Sequence, residues 1–347
     1  ARQRIYLRMG ELMKDGEFTQ KNIQCARKNL ITPLQEITYF CKDGKNDYKT
    51  TFAIFGFQYI EVEADMEINP ADFKAIAVYS DFETTFTFDS SNELLNQFVK
   101  NTLWSLKNNS ADIPTDCPTR ERHGWSGDAQ IFVNTASYMV KYENDLCDWQ
   151  KANGNFPQIA PEGGTDPYMR PMNGSVGWSD AGVLLPYLLW KKYEDQRIIE
   201  TYYEPMRRYA KYMISRTGKT EPFISVKTGL SKADKKYLYN FGQHYGEWAE
   251  PSDVHKMCWK DFATSRPEEA TAYLSYIMGI MVEIAEVLGH TEDIPLYAEY
   301  RDGAKNTYRK LMQQAEFSLD TDRQARLVRP LYFDLLDEKG TAFAKKR

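Results

Sequence analysis

The chain has 347 residues, of which 42% are hydrophobic and 27% charged, as in an ordinary folded protein that buries a large core. Its net charge of -5 at pH 7 argues against a nucleic acid or an anionic membrane as a partner, since neither attracts a negatively charged protein. No apolar run comes near the about 18 residues that a membrane span needs, so we expect no span.

The first 89 residues favour β-structure. Four segments, 48–55, 58–64, 75–79 and 83–88, alternate or run apolar with β-branched and aromatic side chains. Turn pairs such as Asp43-Gly44 and Asn69-Pro70 separate segments of this region. We therefore predict that residues 1–89 are part of a β-sandwich that leads into a second domain.

From residue 90 the apolar residues recur at helical spacing. Ser90 and Glu93 match a capping box, which marks the start of a helix. The clearest helix is 267–288, because Pro267 stands at its first position and Gly289 follows its last. Helices are predicted near 92–108, 128–143, 180–194, 196–216, 267–288, 294–315 and 322–336. These seven do not close a ring, so we expect 90–347 to be an incomplete copy of a larger helical domain.

Three long loops, 109–127, 152–178 and 217–252, lie between the predicted helices. Loops of this length are usually functional. Each has a tryptophan at its helix junction or beside an acidic residue, namely Trp125, Trp178 with Asp180, and Trp248 with Glu247. Helical hairpins arranged in a ring would bring such loops together around a cleft. The alternative for each tryptophan taken singly is a core position.

The first long loop holds the most informative motif, Asp116-Cys-Pro-Thr-Arg-Glu-Arg-His-Gly-Trp-Ser-Gly-Asp128. Its proline and glycines exclude a regular helix or strand and indicate a shaped loop. Carboxylates interleaved with arginines set one another's pKa, as acid/base chemistry requires. An indole beside them offers a flat face for the C–H side of a sugar ring. The alternative is a solvated surface loop, which Trp125, Cys117 and Pro118 do not favour.

The cysteines and histidines do not indicate a metal site. Five cysteines are scattered and odd in number, which argues against a zinc site or a full disulfide framework, and we expect Cys117 to be a structural thiol. No cluster has metal-ligand spacing, so we predict neither a metal nor another cofactor. The chain begins at Ala1 without a methionine or an apolar signal segment, and we expect it to be a processed or excised piece. A periplasmic or secreted location is favoured, and a cytoplasmic one is the alternative.

The segment Ile113–Gln130 resembles the signature of the α-L-rhamnosidases of glycoside hydrolase family 78. Further segments are similar to the same family: 56–62 to the strand before its catalytic domain, 178–181 and 245–248 to its cleft loops, and 270–273 and 285–289 to its later helices. The resemblance implies a mainly α-helical (α/α)6 barrel preceded by a β-sandwich. It also implies release of non-reducing terminal α-L-rhamnose, with inversion, from a rhamnose-containing oligosaccharide or glycoside.

The same resemblance assigns roles to the site residues. Glu121 matches the general acid, and we expect it to hold its proton inside an enclosed sugar pocket. There the acidic neighbours and an indole raise its pKa, and Arg120 and Arg122 act in the opposite direction. The residues expected to hold or wall the sugar are Asp116, Asp128, Arg120, Trp125, Trp178, Asp180, Glu247 and Trp248. Glu247 stands where the family more often has Asp, and Gln58 where it has Arg. The family's general base is a downstream glutamate that no residue of this chain matches, so none is assigned.

Two other functions account for part of the pattern. A rhamnose-binding protein would keep the pocket without the chemistry, and the unassigned base favours it. A glycosidase or lyase of another (α/α)6 family would account for the barrel but not for the motif. In a lyase, His244 and Tyr245 would act at the reacting carbon.

Overall fold

The computed structural model describes residues 3–23, 34–141, 146–162, 172–247, 249–256 and 258–347. These residues are mainly helical, with a few short strands near the start. The chain divides into two compact units, Ala1–Gly124 and Trp125–Arg347. The division falls inside the Asp116–Asp128 motif.

The first unit is built on a small antiparallel sheet. In chain order the strands are β1 (Arg4–Gly10), β2 (Leu12–Lys14), β3 (Glu17–Thr19), β4 (Glu36–Phe40) and β5 (Tyr59–Ala64). β1 lies between β4 and β5, with Leu7 opposite both Ile37 and Val62. β2 and β3 form a hairpin whose turn, Asp15-Gly16, has positive φ at both residues, as the right-handed twist of a two-residue hairpin requires.

Only one of the four predicted strand segments, 58–64, forms a strand of this sheet. Segments 48–55 and 75–79 have no ladder, and 83–88 has a single bridge residue. Phe52 is 94% exposed and Ile76 57% exposed, so the apolar face that the alternation predicts is not covered in the described structure. A two-residue pair, β6 (Ser110–Ala111) and β7 (Ile113–Pro114), follows α1 (Glu93–Asn108).

The helix predicted after residue 90 is present, but its cap is a different residue. The Asn92 side chain accepts hydrogen bonds from the N–H groups of Leu94 and Leu95, and Ser90 instead bonds to Asn96. Asn92 satisfies two of the otherwise unpaired donors of the first turn. The predicted capping box of Ser90 and Glu93 is therefore wrong, although the helix start is correct to within a residue.

The second unit is helical. In chain order its helices are α2 (Ser126–Met139), α3 (Ala181–Tyr193), α4 (Gln196–Arg216), α5 (Lys232–Lys235), α6 (Trp259–Phe262), α7 (Pro267–Leu288), α8 (Ile294–Leu311), α9 (Gln324–Tyr332) and α10 (Glu338–Lys346). α3 packs on α4 and α7 on α8, each across a short connection. Gly289 caps α7 at φ 77°, as its sequence predicted. The site loops lead into the N-termini of α2, α3 and α7.

The core of this unit lies along α7. Ile277, Met278 and Met281 are completely buried, and they belong to the same cluster as Ile199 and Met206 of α4. By length and composition α7 is also apolar enough to cross a membrane, a property that inspection of the sequence missed. Of its most apolar window, 61% is buried inside the protein, as expected for a core helix.

Candidate active site

The first-unit part of the motif is a loop closed by its own backbone. The N–H of Asp116 donates to the carbonyl of His123 over 3.1 Å, and the N–H of His123 donates to the Asp116 carboxylate over 3.0 Å. Arg122 adopts a φ of 55°, a left-handed conformation that reverses the chain before His123. The Asp116 carboxylate thus shapes this loop in addition to the sugar-holding role predicted for it.

At the tip of the loop, Arg120, Arg122 and Cys117 contact other groups of the first unit, whereas the Glu121 side chain is exposed. Arg120 lies 3.9 Å from the Glu11 carboxylate and 3.4 Å from the Asn22 carbonyl, and Arg122 lies 3.5 Å from the Ile54 carbonyl. Cys117 accepts a hydrogen bond from the N–H of Glu121, a structural role. The Glu121 side chain itself is exposed, so the described residues do not form the enclosed pocket predicted around it. Its role as general acid stays a prediction.

In the second unit, three aromatic rings form a cluster, which we call the aromatic cluster. The ring centroid of Tyr245 is 4.5 Å from that of Trp178 and 5.9 Å from that of Trp125, with the latter pair edge to face. The Tyr245 hydroxyl donates a short hydrogen bond to the side-chain oxygen of Gln158. Trp125 is buried and Trp178 is partly exposed. Two of the three predicted tryptophans are therefore brought together, and Trp248 lies outside the described residues.

Local backbone contacts hold the cluster. Trp125 bridges Ile159, and the next N–H, that of Ser126, donates to the Gln158 carbonyl over 2.8 Å. Gly127, in the first turn of α2, has no side chain, and a Cβ there would lie 2.7 Å from Nε1 of Trp178. Only glycine therefore lets the Trp178 indole rest on the start of α2. Packing therefore explains the glycine at position 127 of the motif.

We expect Gly127→Ala to displace the Trp178 indole and to lower the free energy of unfolding by about 1–3 kcal/mol through overpacking. The near-ultraviolet circular dichroism of the tryptophans and a urea titration measure the two effects. Gly279→Ala is the matched control, because a Cβ at Gly279 meets its nearest neighbour, Arg301, only at 3.6 Å. That helix-interior change should stabilise by about 0.5–1 kcal/mol. Equal effects of the two substitutions would contradict the packing role of Gly127.

Asp180 is fully buried next to the loop that carries Trp178. Its carboxylate accepts hydrogen bonds from the Gly177 N–H at 2.5 Å and from the Tyr209 hydroxyl at 2.9 Å. Burial raises its pKa from 3.8 to about 7, and these two hydrogen bonds oppose the rise only partly. These contacts fix the loop that carries Trp178. A direct contact of Asp180 with a sugar, which the sequence predicted, stays a prediction.

Glu247, whose side chain is partly exposed, belongs to an ionic group of mostly buried residues that we call the carboxylate cluster. Its centre is Arg329 of α9, which lies 2.5 Å from Glu247, 3.3 Å from Glu268 and 3.7 Å from Glu269. The Tyr308 hydroxyl adds a hydrogen bond of 3.1 Å to Glu268. Arg326 adds a second guanidinium, 4.0 Å from Glu268, so two arginines face three carboxylates and charge compensation is incomplete.

This imbalance affects Glu269. Burial raises its pKa from 4.5 to about 7, and Glu247 and Glu268 add to the rise while Arg329 opposes it. Burial likewise raises the pKa of Tyr273, on which both Glu269 and Asp180 act. Tyr273 also packs against Gly177, since a Cβ added at Gly177 would lie 3.3 Å from the Tyr273 hydroxyl. It therefore connects the loop of the aromatic cluster with the carboxylate cluster.

The sequence did not single out Glu269 or Arg329. Two glutamates after Pro267 are ordinary residues for the first turn of a helix, where the helix dipole favours anions. Asp128 occupies the equivalent turn of α2 and is exposed, as a sugar-holding carboxylate or a dipole partner would be. Among the described residues, no group of three or more His, Cys, Asp and Glu has the geometry to hold a metal ion.

Comparison with known families agrees with the motif. A model described as the bacterial alpha-L-rhamnosidase 6 hairpin glycosidase domain matches residues 83–347. A second, described as the bacterial alpha-L-rhamnosidase concanavalin-like domain, matches residues 1–79.

The individual proteins that this chain resembles are also named alpha-L-rhamnosidases. An alpha-L-rhamnosidase of Formosa agariphila is 27% identical over 358 residues, which cover 99% of this chain and 35% of that protein. The chain therefore spans about a third of the length of this curated relative. Among solved structures, the alpha-L-rhamnosidase from Dictyoglumus thermophilum is similar with a TM-score of 0.76 and 25% identity, covering 99% of this chain and 37% of that one. The Streptomyces avermitilis alpha-L-rhamnosidase complexed with L-rhamnose is similar with a TM-score of 0.72 and 24% identity, covering 100% of this chain and 31% of that one.

Proposed function

We propose that this chain, which belongs to the bacterial α-L-rhamnosidase family, contributes the sugar-binding site of a glycoside hydrolase that releases non-reducing terminal α-L-rhamnose with inversion. The observation that carries the proposal is the aromatic cluster, in which the partly exposed indole of Trp178 and the ring of Trp125 both pack on Tyr245. Three rings held by buried contacts form a preorganised wall, and a preorganised wall costs little to order when a ligand binds.

Rhamnose fits such a wall by its chemistry. It is a deoxy sugar, so a methyl group and the C–H face of its ring are available for packing on an indole. Its hydroxyls need acceptors and charged donors, which Glu247, Asp116, Asp128 and Arg120 supply in this proposal. Asp180 then acts as a positioning residue, because its contacts with Gly177 and Tyr209 fix the loop of Trp178.

The reaction requires two carboxyl groups. Glu121 is the proposed general acid, which protonates the glycosidic oxygen as the C–O bond breaks. An inverting enzyme also needs a general base about 6.5–9.5 Å from the acid, where one water molecule fits between base and anomeric carbon. No residue of the 347 is assigned to that role, and we therefore expect negligible hydrolysis by this piece alone.

The proposed architecture is a partial (α/α)6 barrel over 90–347 after a β-sandwich portion over 1–89. The helical pairs α3–α4 and α7–α8 support the barrel, since each joins two neighbouring helices by a short turn. The matches to a 6 hairpin glycosidase domain and to a concanavalin-like domain support the same order along the chain.

The role of Glu121 predicts a dependence on the leaving group. In the hydrolase that contains this chain, Glu121→Gln should lower kcat by about 10²–10⁴ for a rhamnosyl hexose, whose alkoxide leaves only after protonation. p-Nitrophenyl α-L-rhamnoside should lose much less, because p-nitrophenolate leaves without an acid. Glu93→Gln, an exposed glutamate of α1, is the control. Equal losses for the two substrates would remove Glu121 from the role of general acid.

The other candidate functions are separated by the same measurements. Rhamnose binding without turnover of either substrate by the whole protein would favour a binding protein. The contacts of the lyase candidates do not favour that chemistry. His244 is 1% exposed and burial lowers its pKa to about 3, so it is a weak base, and the hydroxyl of Tyr245 donates to Gln158.

A further inference from the structure

A second cavity in the helical unit is not used by the proposed function. Its volume is about 710 Å³, which is within the usual range of small-molecule sites. It lies beside the C-terminal turn of α4, and all its described lining residues come from 151–244, within one unit. Its aromatic walls are Tyr212, Tyr239 and Phe241.

The charged side chains that line this cavity are two cations and two anions. Lys151 and Arg216 supply two positive charges, and Glu162 and Glu221 two negative charges, which gives a net charge of zero. His244 adds none, because burial lowers its pKa to about 3. The remaining polar lining consists of amides, namely Asn153, Asn155, Asn173 and Gln243. Such a mixture suits a neutral ligand with many hydroxyls, since each hydroxyl both donates and accepts.

Arg216 is held in place without a carboxylate partner. Its guanidinium carbon lies 4.6 Å from the centroid of Tyr212 and 5.1 Å from that of Phe241. Among the described residues, no carboxylate lies within ion-pair distance of it, whereas Lys151 is paired with Glu162. Nε of Arg216 and Oδ1 of Asn155 are also buried and have no hydrogen-bond partner within the described part of the chain. Unused hydrogen-bonding capacity of this kind is unusual in a folded interior.

The cavity and the aromatic cluster share one wall. His244 lines the cavity, and its Nδ1 accepts the N–H of Val176 over 3.1 Å. The next residue, Tyr245, packs on Trp178 and donates its N–H to Ser175 over 3.1 Å. A ligand in the cavity is therefore separated from the aromatic cluster only by these two backbone segments.

We propose that this cavity is a second saccharide subsite, which takes a neutral hexose unit. The hexose ring would pack on the aromatic walls, and its hydroxyls would bond to Arg216 and to the amide side chains. Because backbone segments separate the cavity from the aromatic cluster, the hexose would bind independently of the rhamnose, and this proposal does not rest on the proposed function.

Saturation-transfer NMR on the 347-residue chain tests the proposal, with D-glucose, D-galactose, D-galacturonate and L-rhamnose as separate probes. We expect a signal from at least one neutral hexose. Arg216→Gln and, independently, Gln243→Ala should weaken that hexose at least tenfold and leave rhamnose unchanged. Arg197→Gln, an exposed arginine on the same helix, is the matched control and should change neither. Thermal unfolding of each variant checks that it is folded.

The outcomes separate the two proposals. Trp178→Ala should weaken rhamnose and leave the hexose unchanged. If no neutral hexose binds, if only galacturonate binds, or if the hexose signal survives in both cavity variants, the second subsite is refuted. Loss of the hexose signal in Arg216→Gln together with full rhamnose binding by Trp178→Ala would support the subsite while overturning the proposed rhamnose site.

Discussion

Replacing Arg329 by methionine is expected to lower the free energy of unfolding by about 3–5 kcal/mol at pH 8, the usual cost of leaving a buried ion without its partner. The Arg329 guanidinium is the charge closest to Glu247 and also faces Glu268 and Glu269, and it is 8% exposed. Methionine keeps much of the side-chain length, so most of the loss comes from charge. Urea unfolding of the 347-residue chain measures it.

The loss should depend on pH in a defined direction. Without Arg329, Glu269 becomes neutral more readily, because the positive charge that lowers its pKa is gone. The destabilisation should therefore be smaller at pH 5 than at pH 8, and Arg329→Met combined with Glu269→Gln should recover part of it. Arg347→Met is the control, since its partners Asp320 and Asp322 are exposed and such pairs contribute about 0–1 kcal/mol. A loss below about 1 kcal/mol for Arg329→Met at both pH values would show that the cluster does not need its cation.

Seven helices of this chain, α1–α4 and α7–α9, were predictable because their signals are local. The short helices α5 and α6 and the last helix, α10, were not predicted, and α5 lies inside the predicted loop 217–252. α7 begins at Pro267 and ends before Gly289 in both sequence and structure, since a fixed φ and a left-handed cap act within one turn. The strands were less predictable, because an alternating segment becomes a strand only where a partner pairs with it. Segment 59–64 has β1 beside it, whereas 48–55 has no such neighbour in the described structure.

The residues of the site were also predictable only where the signal was local. Trp125 and Trp178 were identified from their place in long loops, and the structure joins them through Tyr245. The burial of Asp180 was not predictable, because half of its environment, the Tyr209 hydroxyl, comes from α4. The role of Arg329 was still less so, since its partners precede it by about 60 to 80 residues and meet it only when α9 packs on α7. Contacts between distant segments are set by packing, which no local pattern encodes.

Asp180→Asn is expected to remove much of the pH dependence of stability between pH 4 and 8. The folded pKa of Asp180, about 7, is above its ordinary value of 3.8, so folding favours the protonated form. Its contribution to stability is then complete below about pH 4 and is lost as the pH rises through about 7. A difference of this size amounts to at most about 4 kcal/mol. Asparagine has no such cost, and its amide can bond to both the Gly177 N–H and the Tyr209 hydroxyl.

The free energy of unfolding, measured in urea at half-unit steps of pH, should therefore rise for Asp180→Asn relative to the unsubstituted chain as the pH increases. The slope that remains should come partly from Glu269, whose pKa is also raised to about 7, and Glu269→Gln should reduce it further. Asp195→Asn, at the cap of the next helix, is the control with the opposite sign. Arg197 lowers the pKa of Asp195, so its contribution is present at high pH and is lost as the pH falls. Parallel curves for Asp180→Asn and the unsubstituted chain from pH 4 to 8 would show that Asp180 is ionised in the folded protein, and that the loop of Trp178 is held by a buried charge.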